Sequence, residues 1–221
     1  MIGLAFGGAR HPLTEILCLG AHCDDIEIGC SGTVLTVLEA HPEASITWVV
    51  MGSTALRAQE ALESAHALLA PVRKKNIVIK GFRDGFFPYQ GAEIKTYFEE
   101  LKREVSPDVV FTHTRHDLHQ DHRLVSELTW NTFRDHLVLE YEIPKYDGDM
   151  GAPNLFVHLE ESLCRRKIAN ILGSFRSQAG KRWFTEDLFR AILRLRGMES
   201  NAPSGYAEAF YCRKAVLGGG A

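Results

Sequence analysis

Short apolar runs alternate with longer amphipathic ones through the first part of the chain. EILCLGAH (15–22), SITWVVM (45–51), NIVIKGF (76–82) and DVVFTHT (108–114) are rich in buried-type residues and predict strands. The stretches between and after them, 28–42, 55–71, 92–105 and 120–136, have helical periodicity. Regular alternation of Val/Ile-rich strands with helices predicts a parallel sheet that is covered on both faces.

The second part of the chain is less regular. Strands are predicted at 136–144, 155–160 and 205–217, and helices at 161–175 and 182–196, around the loop KYDGDMGAPN. Repeats, low-complexity segments and obvious linkers are absent from the sequence. We therefore predict one α/β domain over residues 1–221, with a Rossmann-like, mostly parallel sheet, helices on both faces and a less regular C-terminal part.

Composition narrows the class of protein. The 221 residues are 45% hydrophobic and 24% charged, which is typical of a globular domain. A net charge of −3 without a basic stripe argues against a nucleic-acid partner. The five cysteines include no CxxC pair, and no apolar run approaches the roughly 20 residues that span a bilayer. Because the N-terminus also lacks a secretory pattern, we expect a cytoplasmic protein with no integral membrane segment.

Two polar clusters follow predicted strands. AHCDD (21–25) follows the first strand, and HTRHDLHQDHR (113–123) follows the fourth. In doubly wound sheets, ligands bind outside the carboxyl ends of the strands. If the strands take the common order 3-2-1-4-5, the first and fourth strands are neighbours and the two clusters converge.

Converging His and Asp residues indicate a catalytic divalent metal. His22, Asp25 and one histidine of the second cluster would supply two imidazoles and a carboxylate, with a position open for water. A cation would neutralise the adjacent carboxylates of Asp24 and Asp25, and Asp24 could then take a proton from water. Alternatively, the first cluster only caps a helix and the second is a solvated helix face. The four histidines of the second cluster, however, begin at a strand end, where no helix is expected.

Cys23 lies between the candidate ligand and the candidate base. A thiolate can bind zinc, but neighbouring side chains in an extended loop point in different directions. We therefore expect Cys23 to be a packing residue, and the same holds for Cys30.

The two clusters resemble the motifs of the LmbE/PIG-L family of metal-dependent N-acetylglucosaminyl deacetylases. AHCDDIEIGCSGT resembles the family's His-Pro-Asp-Asp loop, and HDLHQDHR resembles its second loop. ALRAQEALESAHALL, FRDGFF, FRSQAGKRWF and RGMESNAPSGYAEAF resemble further family segments in the expected order. Cys23 departs from the family's usual Pro, which puts the rigidity of the loop, and its sensitivity to oxidation, in question.

The resemblance implies a role for each matching residue. His22, Asp25 and His122 would hold the metal, and Asp24 would be the general base. His119 would stabilise the oxyanion or protonate the leaving amine, a step that Asp24 could also perform, and Asp121 would tune or orient His119. Substrate-binding positions would be Arg57, Glu60, Asp84, Ser177 and Gln178. His113 and His116 would line or support the loop.

The expected reaction is removal of the N-acetyl group from an N-acetylglucosamine-type sugar, a small-molecule substrate, by a zinc enzyme. Zn²⁺ and Fe²⁺ both suit the ligand set, and similar proteins often assemble into homo-oligomers. One alternative is a non-haem iron enzyme, which uses the same two-histidine, one-carboxylate set; the strand-helix alternation argues against its usual scaffold. The other is a metal- or sugar-binding module without turnover, which Asp24 and His119 make less attractive. Phe86, Phe87 and Tyr89 could form an apolar surface for the face of a sugar ring, or they could simply pack in the core or the loop.

Overall fold

The computed structural model describes residues 3–6 and 12–216. Its strands are β1 (Glu15–Gly20), β2 (Ser45–Gly52), β3 (Lys75–Phe82), β4 (Val109–His113), β5 (Leu137–Tyr141), β6 (Leu155–His158) and β7 (Ala207–Cys212). Its helices are α1 (Asp25–Ala40), α2 (Ala55–Leu68), α3 (Gly91–Glu104), α4 (Gln120–Thr132), α5 (Glu161–Ser174) and α6 (Glu186–Glu199). Short 3₁₀ turns occur at Phe87–Gln90 and Arg176–Gln178. None of these helices is both long and apolar enough to cross a membrane.

The seven strands form one sheet in the order β3-β2-β1-β4-β5-β7-β6. β1 to β5 pair in parallel, and β7 runs antiparallel between β5 and β6. The predicted α/β architecture is confirmed, including the 3-2-1-4-5 order and the irregular C-terminal part. β1 pairs directly with β4, with Cys18 opposite Phe111, so the loops after these two strands leave the sheet side by side.

Apolar side chains pack on both faces of the sheet. Ile16 and Cys18 of β1 face a core closed by α1, α2, α5 and α6. Leu17 and Leu19 face the opposite core, which includes side chains from α3 and α4. Because both faces are covered, the central strands are buried along almost their whole length, and their ends are what remains available for polar chemistry.

α1 begins at Asp25, earlier than the predicted residue 28. Asp24 immediately precedes the helix, and Asp25 lies in its first turn. The N-terminus of a helix carries a partial positive charge, which stabilises nearby carboxylates. This position offsets part of the repulsion between two adjacent, buried aspartates.

Candidate active site

Two helix starts meet at the carboxyl edge of β1 and β4. Residues 21–24 connect β1 to α1, and residues 114–119 connect β4 to α4. His122, in the first turn of α4, is brought to within 5.1 Å of His22, measured between ring centroids. The two clusters therefore converge as the strand order predicts.

Three side-chain atoms form a compact triangle at this edge. His22 Nδ1 is 3.0 Å from His122 Nε2 and 3.5 Å from Asp25 Oδ2. His122 Nε2 is 3.6 Å from Asp25 Oδ2. Ligand atoms bonded tetrahedrally to zinc at about 2.1 Å lie roughly 3.4 Å from one another. The triangle therefore has the size and the donor chemistry for one such ion, and all three residues are buried.

The protonation states of the triangle are set by burial, by its own members and by the side chains packed around it. Burial raises the pKa of Asp25, but His122 and His113 outweigh burial and hold that pKa well below its usual range. Burial, together with His113, lowers the pKa of His122 to about 4, so this ring is neutral near pH 7. Burial also lowers the pKa of His22, yet hydrogen bonds to Asp121, Asp25 and Asp84 raise it overall. A metal ion would replace the proton that His22 otherwise holds.

Both histidines of the triangle have a carboxylate on their far nitrogen. His22 Nε2 lies 3.2 Å from Asp121 Oδ2 and 3.1 Å from Asp84 Oδ1. His122 Nδ1 lies 2.9 Å from Asp117 Oδ2. Such outer carboxylates fix the tautomer and orientation of metal-binding imidazoles.

His113, at the end of β4, packs against the triangle. Its ring stacks on that of His122 at 3.9 Å, and its Nε2 is 3.2 Å from Asp25 Oδ2. The same Nε2 accepts the Ala21 N–H at 3.0 Å. His113 thus ties the loop after β1 to β4, in line with the supporting role expected for it, whereas His116 is exposed.

Asp24, the predicted base, faces Arg57 at the start of α2. Arg57 Nη2 is 2.9 Å from Asp24 Oδ1, an ion-pair distance. Burial raises the pKa of Asp24, and the charge of Arg57 opposes part of that rise. Asp24 is therefore a buried carboxylate with raised basicity, adjacent to the triangle but not part of it.

His119 immediately precedes α4, and its ring meets that of His22 edge-on at 4.9 Å. Its Nδ1 accepts the backbone N–H of Asp121 at 3.3 Å. Neutral His119 therefore carries its proton on Nε2. Burial and the charge of His22 lower the pKa of His119, which favours this neutral form.

Asp121 donates its backbone N–H to His119, and the charge of its side chain opposes the lowering of the His119 pKa. The tuning or orienting role expected of this side chain stays a prediction. The carboxylate contacts His22 and accepts the N–H groups of Gly85 at 2.6 Å and Phe87 at 3.1 Å. The carboxylate meets these two donors because the loop after β3 and the 3₁₀ turn at Phe87–Gln90 pack against α4. Asp84, just before Gly85, also reaches His22, and that contact lowers the pKa of Asp84 to about 2.

The described residues contain further His/Asp groups whose ligand atoms lie within 4.8 Å of one another. They are His22/His119/His122, Asp25/His113/His122 and His22/Asp84/Asp121. Each group includes His22 or His122. They therefore belong to one polar cluster, centred on the triangle.

Comparison with protein-family models identifies one family. The model described as PIG-L, GlcNAc-PI de-N-acetylase, matches residues 17–133, more than half of the chain. The chain belongs to this family. The matched region runs from β1 to the end of α4 and contains all three residues of the triangle, together with Asp24, Arg57, Glu60, Asp84, His119 and Asp121.

Solved structures share the fold over nearly the whole chain. The conserved protein TT1542 from Thermus thermophilus has a TM-score of 0.71 and 23% identity, covering 93% of this chain and 97% of that one. N,N'-diacetylchitobiose deacetylase from Pyrococcus horikoshii has a TM-score of 0.70 and 24% identity, covering 90% and 83%. GalB, the 4-carboxy-2-hydroxymuconate hydratase from Pseudomonas putida KT2440, has a TM-score of 0.72 and 16% identity, covering 95% and 100%.

These likenesses establish the fold. Since one of the structures is a deacetylase and another a hydratase, the fold by itself does not define the reaction. No curated protein sequence gave a significant match. The side chains at the carboxyl edge of the sheet must therefore carry any conclusion about chemistry.

The remaining substrate-binding candidates form a separate group. Glu60, in the family-matched α2, accepts the Ser177 N–H at 2.8 Å and the Ser177 hydroxyl at 2.6 Å. Gln178 Nε2 donates to the same Ser177 hydroxyl at 2.9 Å, while its buried Oε1 has no partner among the described residues. This group attaches the Arg176–Gln178 turn to α2. Its direct contacts are with one another, not with the histidines.

Cys23, where the GlcNAc-PI de-N-acetylase family usually has Pro, lies in the core. Its side chain is fully buried, and its Sγ lies 3.5 Å from the Gly52 carbonyl, to which it can donate. Burial raises the pKa of the Cys23 thiol to about 12. The thiol is therefore a neutral packing group, as is the buried Cys30.

Two residues that the structure places in the cluster had no role assigned from the sequence. Asp117 contacts His122. In the sequence, its only signal was its place within the histidine-rich stretch 113–123. Lys145, from the loop after β5, lies 2.9 Å from Asp117 Oδ2. Lys145 is separated from both motifs and carried no signal, because only the tertiary fold brings its loop to α4.

Proposed function

We propose that the protein is a metal-dependent hydrolase that removes the N-acetyl group from an N-acetylglucosamine-type sugar or glycoconjugate. Family membership supports this reaction, and the triangle of His22, Asp25 and His122 is the observation that carries the metal dependence. Deacetylases among the structurally similar proteins agree with it. A buried base and a second polar histidine at the same edge supply what an amide hydrolase needs beyond the metal.

When bound, a divalent ion such as Zn²⁺ or Fe²⁺ would acidify a water molecule and polarise the acetamide carbonyl. Asp24 would accept the proton of the attacking water, since burial raises its basicity. Arg57 would hold the Asp24 carboxylate in place and limit how strongly it retains the proton. The proton could then pass from Asp24 to the departing amine.

His119 would bind the acetamide oxygen as negative charge develops on it. Its Nε2–H is free to donate because Nδ1 is engaged by the backbone of Asp121. A preorganised donor of this kind typically contributes on the order of 10²–10³ in rate. As a cation, His119 could alternatively protonate the amine.

Substrate groups would be held around this centre. Asp84 is exposed beside His22 and could accept a sugar hydroxyl. Gln178 Oε1 and Arg57 Nε are buried without partners among residues 12–216, so a bound sugar could satisfy them. Phe87 is in the core, whereas Phe86 and Tyr89 are exposed and available to a ring face. Homo-oligomer assembly and a cytoplasmic location stay predictions.

Primary-amine release from a panel of N-acetylated amino sugars tests the reaction. Zinc-loaded protein should release amine from at least one compound, and Asp24→Asn should reduce the rate by about 10²–10⁴ while retaining the metal. Asp135→Asn, a change at an exposed carboxylate, is the matched control. Metal loss in Asp24→Asn, or its full activity, would contradict the role of Asp24. Oxygen uptake with an oxo-acid, without amine release, would favour an iron oxygenase. Metal and sugar binding without turnover would indicate a non-catalytic module.

A further inference from the structure

The loop after β5 folds back over the segment that carries the catalytic histidines. Lys145, in this loop, is the point of contact. Its Nζ lies 2.9 Å from Asp117 Oδ2 and 2.5 Å from Asp149 Oδ2. Asp149 in turn accepts the Leu118 N–H at 2.7 Å. The Lys145 ammonium and the Asp149 carboxylate therefore attach the 145–149 loop to Asp117 and Leu118, respectively.

Asp117, which Lys145 contacts, also forms hydrogen bonds with two histidines. Its Oδ2 lies 2.9 Å from His122 Nδ1, and its Oδ1 accepts the backbone N–H of His119 at 2.8 Å. The carboxylate is almost fully buried, at 1% exposure. It therefore sets the orientation of the His122 ring and the position of the His119 backbone together.

Charge explains why this carboxylate needs Lys145. Lys145 Nζ contacts this carboxylate at 2.9 Å in a largely buried pair, with the two side chains 15% and 1% exposed. The Lys145 ammonium pairs with Asp117 Oδ2, whereas the Arg123 guanidinium donates only to the backbone carbonyls of Asp117 and Leu118. A buried carboxylate without such a partner is costly and tends to move towards water or to take up a proton.

We propose that Lys145 is a positioning residue of the active site, acting through Asp117 to hold His122 in the tautomer and orientation that bind the metal. This inference rests on the proposed metal dependence and extends it to a residue outside the family-matched region, 17–133. In a carboxylate–histidine pair, Asp117 accepts the proton on His122 Nδ1 and leaves Nε2 free for the metal. Lys145 fixes the Asp117 carboxylate in place, so that it can do so.

Zinc affinity measured against a chromogenic chelator tests the proposal without any substrate. Lys145→Met and Asp117→Asn should each weaken zinc binding by about 10–100-fold, the usual effect of losing an outer partner. The double variant should bind no more weakly than Asp117→Asn alone, because the two residues act in series. Lys145→Arg, which keeps the charge, should restore much of the affinity. Lys74→Met, at an exposed lysine that faces Glu43, is the matched control and should bind as the wild type does.

A second readout uses the metal-free protein. Long-range ¹H–¹⁵N spectra should show the His122 proton on Nδ1 in the wild type and in Lys145→Arg, and a mixture of tautomers in Lys145→Met. Wild-type affinity in Lys145→Met, additive losses in the double variant, or a wild-type His122 proton on Nε2 would each overturn the proposal. If Lys145→Met fails to fold, Lys145→Gln takes its place with the same expected loss of zinc affinity, because it also removes the ammonium that contacts Asp117. Zinc binding without amine release would count against the proposed reaction and leave this inference standing.

Discussion

The two parts of the sheet contribute different things to the site. Residues from β1 to α4 supply every atom of the triangle, the base and His119. Residues from β5 onward contact these groups from outside. Lys145 pairs with Asp117, and the Glu208 carboxylate of β7 accepts the Gly32 N–H of α1. The chemistry thus lies in the parallel βα units, where strand ends and helix starts meet, and the antiparallel part holds those units in position. The following predictions test this division.

The largest effect should come from the first part. His122→Ala should lower bound zinc from about one ion per chain to near zero and abolish amine release, because it removes one of three protein ligands. Metal content by atomic absorption and amine release measure this. The matched control is His158→Ala, at an exposed histidine of β6, which should retain both. Retained zinc in His122→Ala would place the metal elsewhere and break the division.

The second part should matter most for stability. Lys167 of α5 and Glu208 of β7 form an ion pair with both side chains 2% exposed. The Glu208 carboxylate also accepts the α1 N–H groups of Gly32 at 2.9 Å and Thr33 at 2.6 Å. Lys167→Met leaves this carboxylate buried without its cation and should lower the free energy of unfolding by about 3–5 kcal/mol, measured by urea denaturation.

Two further variants sharpen that prediction. Glu208→Gln combined with Lys167→Met should recover part of the stability, because no buried charge then lacks a partner. Lys181→Met, at an exposed lysine, should change little. Below its melting temperature, Lys167→Met should keep its zinc affinity. A loss of zinc affinity without a loss of stability would mean that β7 affects the site directly.

A smaller effect is expected for Asp121→Asn. Its carboxylate contacts His22 Nε2, so the amide would hold that ring less firmly. Zinc affinity should fall by about 10–100-fold. His119 should keep its position, because its hydrogen bond with Asp121 is to the backbone N–H, which the substitution leaves in place. Competition with a chelator measures the zinc affinity, and a crystal structure of the variant shows the position of His119. Displacement of His119 with normal zinc affinity would instead support a direct role of the Asp121 side chain in orienting His119.

The smallest effect concerns Cys23. Its thiol is buried and its pKa is raised to about 12, so it should resist iodoacetamide at pH 8. The partly exposed Cys212 should react first, as peptide mass spectrometry would show. All five cysteines should react in urea. Rapid labelling of Cys23 in the folded protein would indicate that the loop without Pro opens.

The sequence by itself determined the frame of the molecule. Apolar periodicity is a local property, so the seven strands, six helices and their alternation could be read from it. Strand-helix alternation then predicted a parallel sheet, and if such a sheet has the common 3-2-1-4-5 order, its first and fourth strands are neighbours and His22 comes close to His122. The motifs marked the triangle and Asp24 for the same reason: each lies within a few residues of a strand end or a helix start.

Tertiary structure decided which polar groups meet. Asp121 contacts His22 because β1 lies beside β4, so that the start of α4 meets the loop after β1. Glu60 pairs with Ser177 because the turn after α5 returns to α2. Lys145 reaches Asp117 across 28 residues of chain. Such partners have no periodicity in sequence. They are fixed only when the packed core sets the loops in place, since a buried carboxylate is then stabilised by whichever donors and cations lie within reach.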